Sequence, residues 1–304
     1  MTKSITKPSI ICFGEILWDN LPSGRTAGGA PMNVAYHLNR VGAESQLISR
    51  IGDDQPGADL VNFFGQKGLS TNFLQTDSRY PTGEVIAKVM DNHEVAYEIL
   101  PDAAWDFIDF DPKLSRMANV ADAFVFGSLA ARNSISRDTL LQTLDSAKFR
   151  VLDINLRAPH YSREVLELLL PKADFLKLNH DELLLLTDWF YKSGAPESDS
   201  ISFLQQKFDI AEIIVTKGSE GASYYSGDTT FTGKAYSVTV ADTVGAGDSF
   251  LAAFLYKKLT GTTIPKTLDY ALAMGAFIAG QSGACPAYTL SDLDHFIDAH
   301  QRPG

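Results

Sequence analysis

The sequence predicts an α/β fold: a central, mostly parallel β-sheet flanked by helices on both faces, with a small β-sheet lid. Three observations predict it. From residue 120 onward, short apolar runs alternate with helix-like stretches, the pattern of a parallel sheet covered on both sides. One segment, 82–99, breaks that rhythm by alternating apolar and polar residues on both sides of a turn, a hairpin signal. The stretch "DTVGAGDSFLAAFLY", 242–256, places small residues where an apolar helix begins, leaving backbone N–H groups uncovered for an anion such as phosphate.

In chain order, "SIICF" (9–13) is a short apolar run ended by Gly14 and reads as a buried strand. Residues 31–42 carry Val34, Leu38 and Val41 at helical spacing, with Pro31 suited to the first turn and Gly42 to the stop. "LISRI" (47–51) reads as another strand. The hairpin "TGEVIAKVMDNHEVAYEI" turns at Asp91-Asn92 and precedes the regular part, so it is expected in a separate small sheet. It is either an extra edge hairpin or a lid that closes over a substrate and excludes water. Its spare face is then available to a second subunit in a homodimer. Strands follow at "AFVFG" (123–127), "VLDI" (151–154), "DFLKL" (174–178) and "EIIVT" (212–216). Helices are expected at 136–147 and at 162–170, the latter with Ser162 as cap and Pro171 as terminator. The helix 250–259 is apolar nearly all round, which puts it in the core with its N-terminus facing a site. Ligands of such sheets bind at the carboxyl ends of the strands.

A chain of 304 residues is expected to form one large α/β unit, 1–304, with the lid contributed by about 14–30 and 80–105. The formal charge of −11 argues against nucleic acid as a partner, which needs a basic footprint. It leaves anionic small molecules open, since a few local donors can outweigh a distant average field. Cys12 and Cys285 are too few and too scattered for a disulfide framework and suit a reducing, cytoplasmic setting. The apolar run "IICF" is too short for a signal peptide, and no segment approaches the ~18 apolar residues of a membrane span. The six histidines show no metal-binding spacing.

Two phosphate signatures are missing or incomplete. There is no G-x-x-x-x-G-K-[ST], and "GAGDSF" lacks the third glycine of a dinucleotide fingerprint, which disfavours an NAD enzyme. Asp248 has two readings. An acid in the first helical turn complements the macrodipole by roughly 0.3–1 kcal/mol. Alternatively, the N–H groups hold a phosphoryl group and the carboxylate takes the proton from the attacking hydroxyl.

"DTVGAGDSF" resembles the D-T-x-G-A-G-D signature of the ribokinase-type (PfkB) carbohydrate kinases. "AGGAPMNVAYHLNRVG" (27–42) is similar to that family's N-terminal signature, with a Gly-Gly pair followed by an asparagine. "GEILWD" (14–19) and "RIGDDQPG" (50–57) resemble the G-E-x-L-x-D opening and G-D-D turn of its bacterial fructokinases. "DINLR" (153–157), "LKLNHDEL" (176–183) and "VTKGSEG" (215–221) fall in order where the family has equivalents.

The resemblance implies a ribokinase-like fold and a role for each matched position. Asp248 would be the catalytic base, with Gly245, Ala246 and Gly247 as the anion hole. Asp19, Gly29 and Asn33 would bind sugar hydroxyls; without the resemblance, Asp19 is a turn acid and Asn33 a helix-surface amide. Asn179 and Glu182 would order the waters of Mg²⁺, although Asn-x-x-Glu at a helix start is also a capping box. Arg157 would contact the transferred phosphate, or else pair with a surface acid. Thr216, Gly218 and Gly221 would hold the nucleotide, or form an ordinary glycine-rich turn into the hairpin that follows. The small-residue run 271–284 would line the adenine pocket, or serve tight helix packing.

One departure stands out. Fructokinases commonly carry an arginine after the second lid strand, where this chain reads "YEILPDAAWDFI" (97–108). Lid residues touch the sugar, so this departure bears on which sugar is bound; the resemblance as a whole implies an ATP-dependent kinase using Mg²⁺, with K⁺ as a further cation, acting on fructose to give fructose 6-phosphate. The alternatives are a kinase of ribose, tagatose, 2-keto-3-deoxygluconate or adenosine, and a catalytically silent sugar or nucleotide sensor on the same fold.

Overall fold

The computed structural model describes residues 7–21, 24–89 and 95–300. The chain runs β1 (Ser9–Phe13), β2 (Leu17–Leu21), β3 (Gly24–Gly28), α1 (Ala30–Val41), β4 (Glu44–Gly52), α2 (Gln55–Lys67), β5 (Leu74–Asp77), β6 (Gly83–Val89) and β7 (Val95–Ile99). It continues α3 (Pro112–Val120), β8 (Ala123–Gly127), α4 (Ser134–Leu144), β9 (Arg150–Asp153), α5 (Arg163–Leu169), β10 (Phe175–Asn179), α6 (His180–Phe190) and α7 (Glu197–Phe208). The last elements are β11 (Glu212–Thr216), β12 (Ala222–Ser226), β13 (Thr229–Gly233), α8 (Ala246–Leu259), α9 (Ile264–Ala279) and α10 (Leu290–Ala299).

Nine strands form one sheet in the order β13-β12-β11-β10-β9-β8-β1-β4-β5. From β11 to β5 every pairing is parallel, and β12 and β13 add an antiparallel edge. Successive side chains of a strand point to opposite faces, and both faces are covered. Ile10, Cys12, Leu47, Val125, Val151 and Ile214 enter a core made with α1, α8 and α9. Their neighbours Ile11, Phe13, Ile48, Phe124, Leu152 and Ile213 enter a second core under α3 to α7. The near-continuous apolar strands of the sequence are therefore strands buried on both sides.

Strands 9–13, 123–127 and 212–216 match the expected bounds. The others shift. Residues 47–51 are the inner part of a longer strand, 44–52, and the next two strands move by one residue. The helix expected at 136–147 spans 134–144, because the Asn133 side chain accepts from Ile135 N and starts it earlier. Ser162 does cap α5, but Pro171 sits inside a closing 3-10 turn rather than after it. The apolar helix begins at Ala246, so the small residues belong to its first turn.

A second, four-stranded sheet has the order β3-β2-β6-β7. It is mixed: β2 pairs antiparallel with β3 and parallel with β6, and β6 pairs antiparallel with β7. The expected hairpin is thus present as two strands, and its turn at Asp91-Asn92 lies outside the described residues. This sheet is fastened to α2. The Trp18 indole N–H donates to Pro56 O at 2.9 Å, Arg25 pairs with Asp59 at 3.3 Å, and Thr82 Oγ1 donates to Asp54 Oδ1 at 2.6 Å. Among the described residues no helix is long and apolar enough to cross a membrane.

Candidate active site

The carboxyl ends of β1, β8, β9, β10 and β11 lie on one side of the main sheet, as parallel strands require, and the N-termini of α1 and α8 meet there. Gly245 caps α8 in the left-handed region at φ 79, and a side chain there would lie 2.7 Å from Ala284 Cα. Only glycine meets both demands. Of the expected hole, Ala246 N–H is engaged with Thr243 O at 3.3 Å. The N–H groups of Gly245 and Gly247 have no acceptor among the described residues, which leaves two free donors at the N-terminus of α8.

Asp248 follows in the same turn. Its Oδ2 accepts from Asn33 Nδ2 at 2.8 Å, and Asn33 Oδ1 in turn accepts from Cys285 Sγ at 3.4 Å. Asn33 is therefore a buried amide holding an acid, not a surface residue of α1. The Asp248 carboxyl is pushed up to about 6, chiefly by burial and then by the charge of Asp153. Lys177, Asn33 and Arg157 oppose that rise.

Gly29 caps α1 at φ 112, with Glu15 O so close that no Cβ fits. Asp19, on β2, faces the same space; burial raises its carboxyl to about 6, and the Arg157 charge works against this. Arg157 makes no ion pair among the described residues; its guanidinium donates to Leu156 O at 3.4 Å, and its carbonyl accepts from His160 N at 2.7 Å. Of its two readings, the surface-acid partner is not found. Its charge instead bears on Glu15, Asp19 and Asp248 together.

Asn179 and Glu182 do form a reciprocal capping box: Asn179 Oδ1 accepts from Glu182 N at 2.9 Å, and Glu182 Oε2 accepts from Asn179 N at 2.8 Å. Glu182 Oε1 accepts from Leu156 N at 2.8 Å, which ties the loop of Arg157 to α6. Each carboxylate oxygen keeps a second lone pair. Thr216 closes β11, Gly218 sits in a 3-10 turn, and Gly221 is pressed against the Gly233 carbonyl, so its small size serves the β12–β13 hairpin. In the small-residue run, Gly275 brings α9 within 3.3 Å of Ala246 O, measured to where its Cβ would be, so α9 packs directly behind the anion hole.

Sequence reasoning passed over three groups. Lys177 is buried and donates to both Asp153 oxygens at 2.8 Å, with its Nζ 3.4 Å from where a Cβ on Gly247 would lie. A lysine inside the apolar run "FLKLN" was the available signal: a charge there must find a partner. Glu15 is the second, considered below, and Arg132 the third. At the root of the small sheet, the stretch lacking an arginine receives one from elsewhere. Arg132 forms a bidentate pair with Asp106 at 2.7 and 2.6 Å, donates to Leu100 O at 2.7 Å and covers the Trp105 ring.

The description of the pfkB family carbohydrate kinases matches residues 21–289. The chain belongs to this family. A curated relative of the kinase, probable fructokinase-5 of Arabidopsis thaliana, is 28% identical over 92% of this chain and 94% of its own. Among solved structures, a fructokinase with bound ATP from Xylella fastidiosa superposes with a TM-score of 0.84 at 24% identity, covering 97% of this chain and 99% of its own. A double-mutant fructokinase from Vibrio cholerae O395, holding fructose, ADP and potassium, gives 0.80 at 22% identity, covering 95% and 98%. These structural likenesses establish the ribokinase-like fold. A carbohydrate kinase must bring a sugar hydroxyl to a terminal phosphate, and a carboxylate beside free helix N–H groups suits both partners of that reaction.

Proposed function

We propose that the kinase transfers the γ-phosphate of ATP to a hydroxyl of fructose, giving fructose 6-phosphate. The observation that carries the reading is Asp248, locked by Asn33 beside the free N–H groups of Gly245 and Gly247. Asp248 accepts the proton of the attacking hydroxyl. Gly245 and Gly247 N–H, with Arg157, hold the charge on the transferred phosphoryl group, and Ala246 completes the turn. Asp19, Gly29 and Asn33 bind the sugar. Thr216, Gly218 and Gly221 form the nucleotide's side of the cleft.

Among the described residues no group of three or more acids, histidines or cysteines could hold a metal directly. The free lone pairs of Glu182 and the exposed Asn179 amide suit a metal that keeps its water, as Mg²⁺ does. These two residues would hold it through water, and when bound it neutralises phosphate charge. The potassium bound in the Vibrio neighbour supports K⁺ as the further cation.

Release of ADP with Mg-ATP, measured across fructose, ribose, tagatose, 2-keto-3-deoxygluconate and adenosine, with and without K⁺, is expected to give the highest kcat/KM for fructose. A preference for another acceptor overturns the choice of sugar and leaves the kinase. Sugar binding without ADP release from any nucleotide points instead to a sensor.

The small sheet acts as the lid over this site. Strands 83–89 and 95–99 should gain hydrogen-exchange protection when fructose is added. Unchanged exchange at saturating fructose means a rigid edge sheet.

A further inference from the structure

A buried carboxylate beneath the site has no part in the chemistry above. Glu15, just after β1, is 3% exposed. Its Oε1 accepts from Ala30 N, the first residue of α1, at 3.2 Å. Its Oε2 is shut off from solvent and has no hydrogen-bond partner among the described residues. An unpaired buried oxygen is costly, and more so when charged. Beside it is a cavity of ≈ 10 Å³, whose mostly apolar wall, with Pro31 and Phe126, also includes Glu15, Ser128, Asp153 and Asn155. That is about the room of one water molecule.

The walls decide which groups such a water can use. Ser128 Oγ donates to Ile154 O at 2.6 Å and the Asp153 oxygens accept from Lys177, so each keeps a lone pair and can only accept from a water there. The Asn155 side-chain amide makes no hydrogen bond among the described residues. Asn155 also holds a positive φ of 39, a backbone state that persists only when its surroundings impose it. Glu182 grips the same loop from the far side through Leu156 N at 2.8 Å.

We infer that this cavity binds one ordered water held between Glu15 and Asn155, and that through it Glu15 is a positioning residue for the loop 154–157. One carboxylate oxygen thereby fixes the start of α1, which carries Gly29 and Asn33. The other fixes the loop that carries Arg157. The Arg157 loop hangs between two buried glutamates, and the sugar-facing and phosphate-facing halves of the site are tied together. The inference rests on the proposed function only for the role of Arg157.

A high-resolution crystal structure of the wild-type protein is expected to contain one water in hydrogen-bonding reach of Glu15 Oε2 and the Asn155 amide. A cavity without it, or a water that touches neither group, overturns the inference even if the protein proves to be no kinase. Glu15→Gln keeps an oxygen for Ala30 N–H and a polar group for the water, and retains most activity. Asn155→Gly lowers kcat roughly 10–100-fold with little change in the KM for fructose, as expected when a catalytic group is misplaced by ~1 Å, and Glu15→Leu, which also frees the start of α1, lowers kcat at least as far and raises that KM. Both remove the same bridge, so the double variant should fall no further than the worse single one. Losses that multiply, or a fall in Tm with kcat unchanged, overturn the tie. Should Glu15→Leu not fold, Asn155→Gly carries the kinetic test alone, since glycine suits that φ and lacks only the amide.

Discussion

Asp248→Asn is expected to abolish most turnover and leave the fold intact. The substitution keeps an oxygen for Asn33 Nδ2, which now donates to Asp248 at 2.8 Å, and it keeps the size of the first helical turn. It removes the proton acceptor in the first turn of α8. General-base contributions are typically ~10²–10⁴-fold, so kcat should fall by at least that order while fructose still binds. Stability supplies a second reading of the same variant. Burial holds the folded carboxyl up at about 6, from an ordinary value of 3.8. The sign follows from linkage: a raised acid favours the unfolded chain wherever the unfolded group is ionised and the folded one resists it. That cost grows as pH rises from 3.8 toward about 6 and is constant above. The asparagine variant should therefore match or exceed the wild-type Tm at pH 8, the difference closing in acid. In the wild type, kcat/KM should drop tenfold per pH unit below about 6, because the carboxylate is the active form. That limb should vanish in whatever rate the variant retains. If Asp248 merely complemented the helix dipole, the outcome reverses: a little stability lost and the rate kept.

Lys177→Met should cost the protein much of its stability. The ammonium and the Asp153 carboxylate have side chains only 9% and 5% exposed, so each is the other's substitute for water. Removing one partner of such a pair typically costs ~3–5 kcal/mol, because the remaining charge is stranded. Asp153→Asn combined with Lys177→Met should recover most of that loss, since replacing both charges leaves none unpaired. Chemical denaturation of the wild type, the single and the double variants measures this. A single variant as stable as the wild type would mean that the pair contributes nothing. The two charges also act on Asp248 in opposite senses, Asp153 raising it and Lys177 lowering it. Asp153→Asn should therefore move the acid limb of kcat/KM to lower pH, and Lys177→Met should move it to higher pH. The limb's position separates an electrostatic role in the site from simple packing.

Local rules made much of this legible in the sequence. Strands such as 123–127 and 212–216 are apolar runs bounded by turn residues, and Pro31, Ser162 and the Asn179–Glu182 box act within a few residues of themselves. Those features depend on neighbours along the chain, which the sequence lists directly. The signature around Asp248 likewise placed glycines and an acid at one helix start, and its likeness to a known family assigned them roles. Asn33 was legible as a sugar ligand, but its hold on Asp248, which joins positions 215 residues apart, and its contact with Cys285, which spans 252, were not. The lysine in "FLKLN" was visible, but its partner lies on the adjacent strand, 24 residues away. Arg132 reaches the root of the lid from the 3-10 turn after β8, where no local pattern announces it. The sequence by itself determined which elements form and which residue types sit at their ends, because backbone geometry, capping and periodicity are short-range. Only the tertiary structure decided which charges share a dry space, and with it the acidity of Asp248, the pairing of Lys177 and the isolation of Glu15. Burial and Coulomb forces act between groups brought together by the fold, and sequence separation carries no information about that distance.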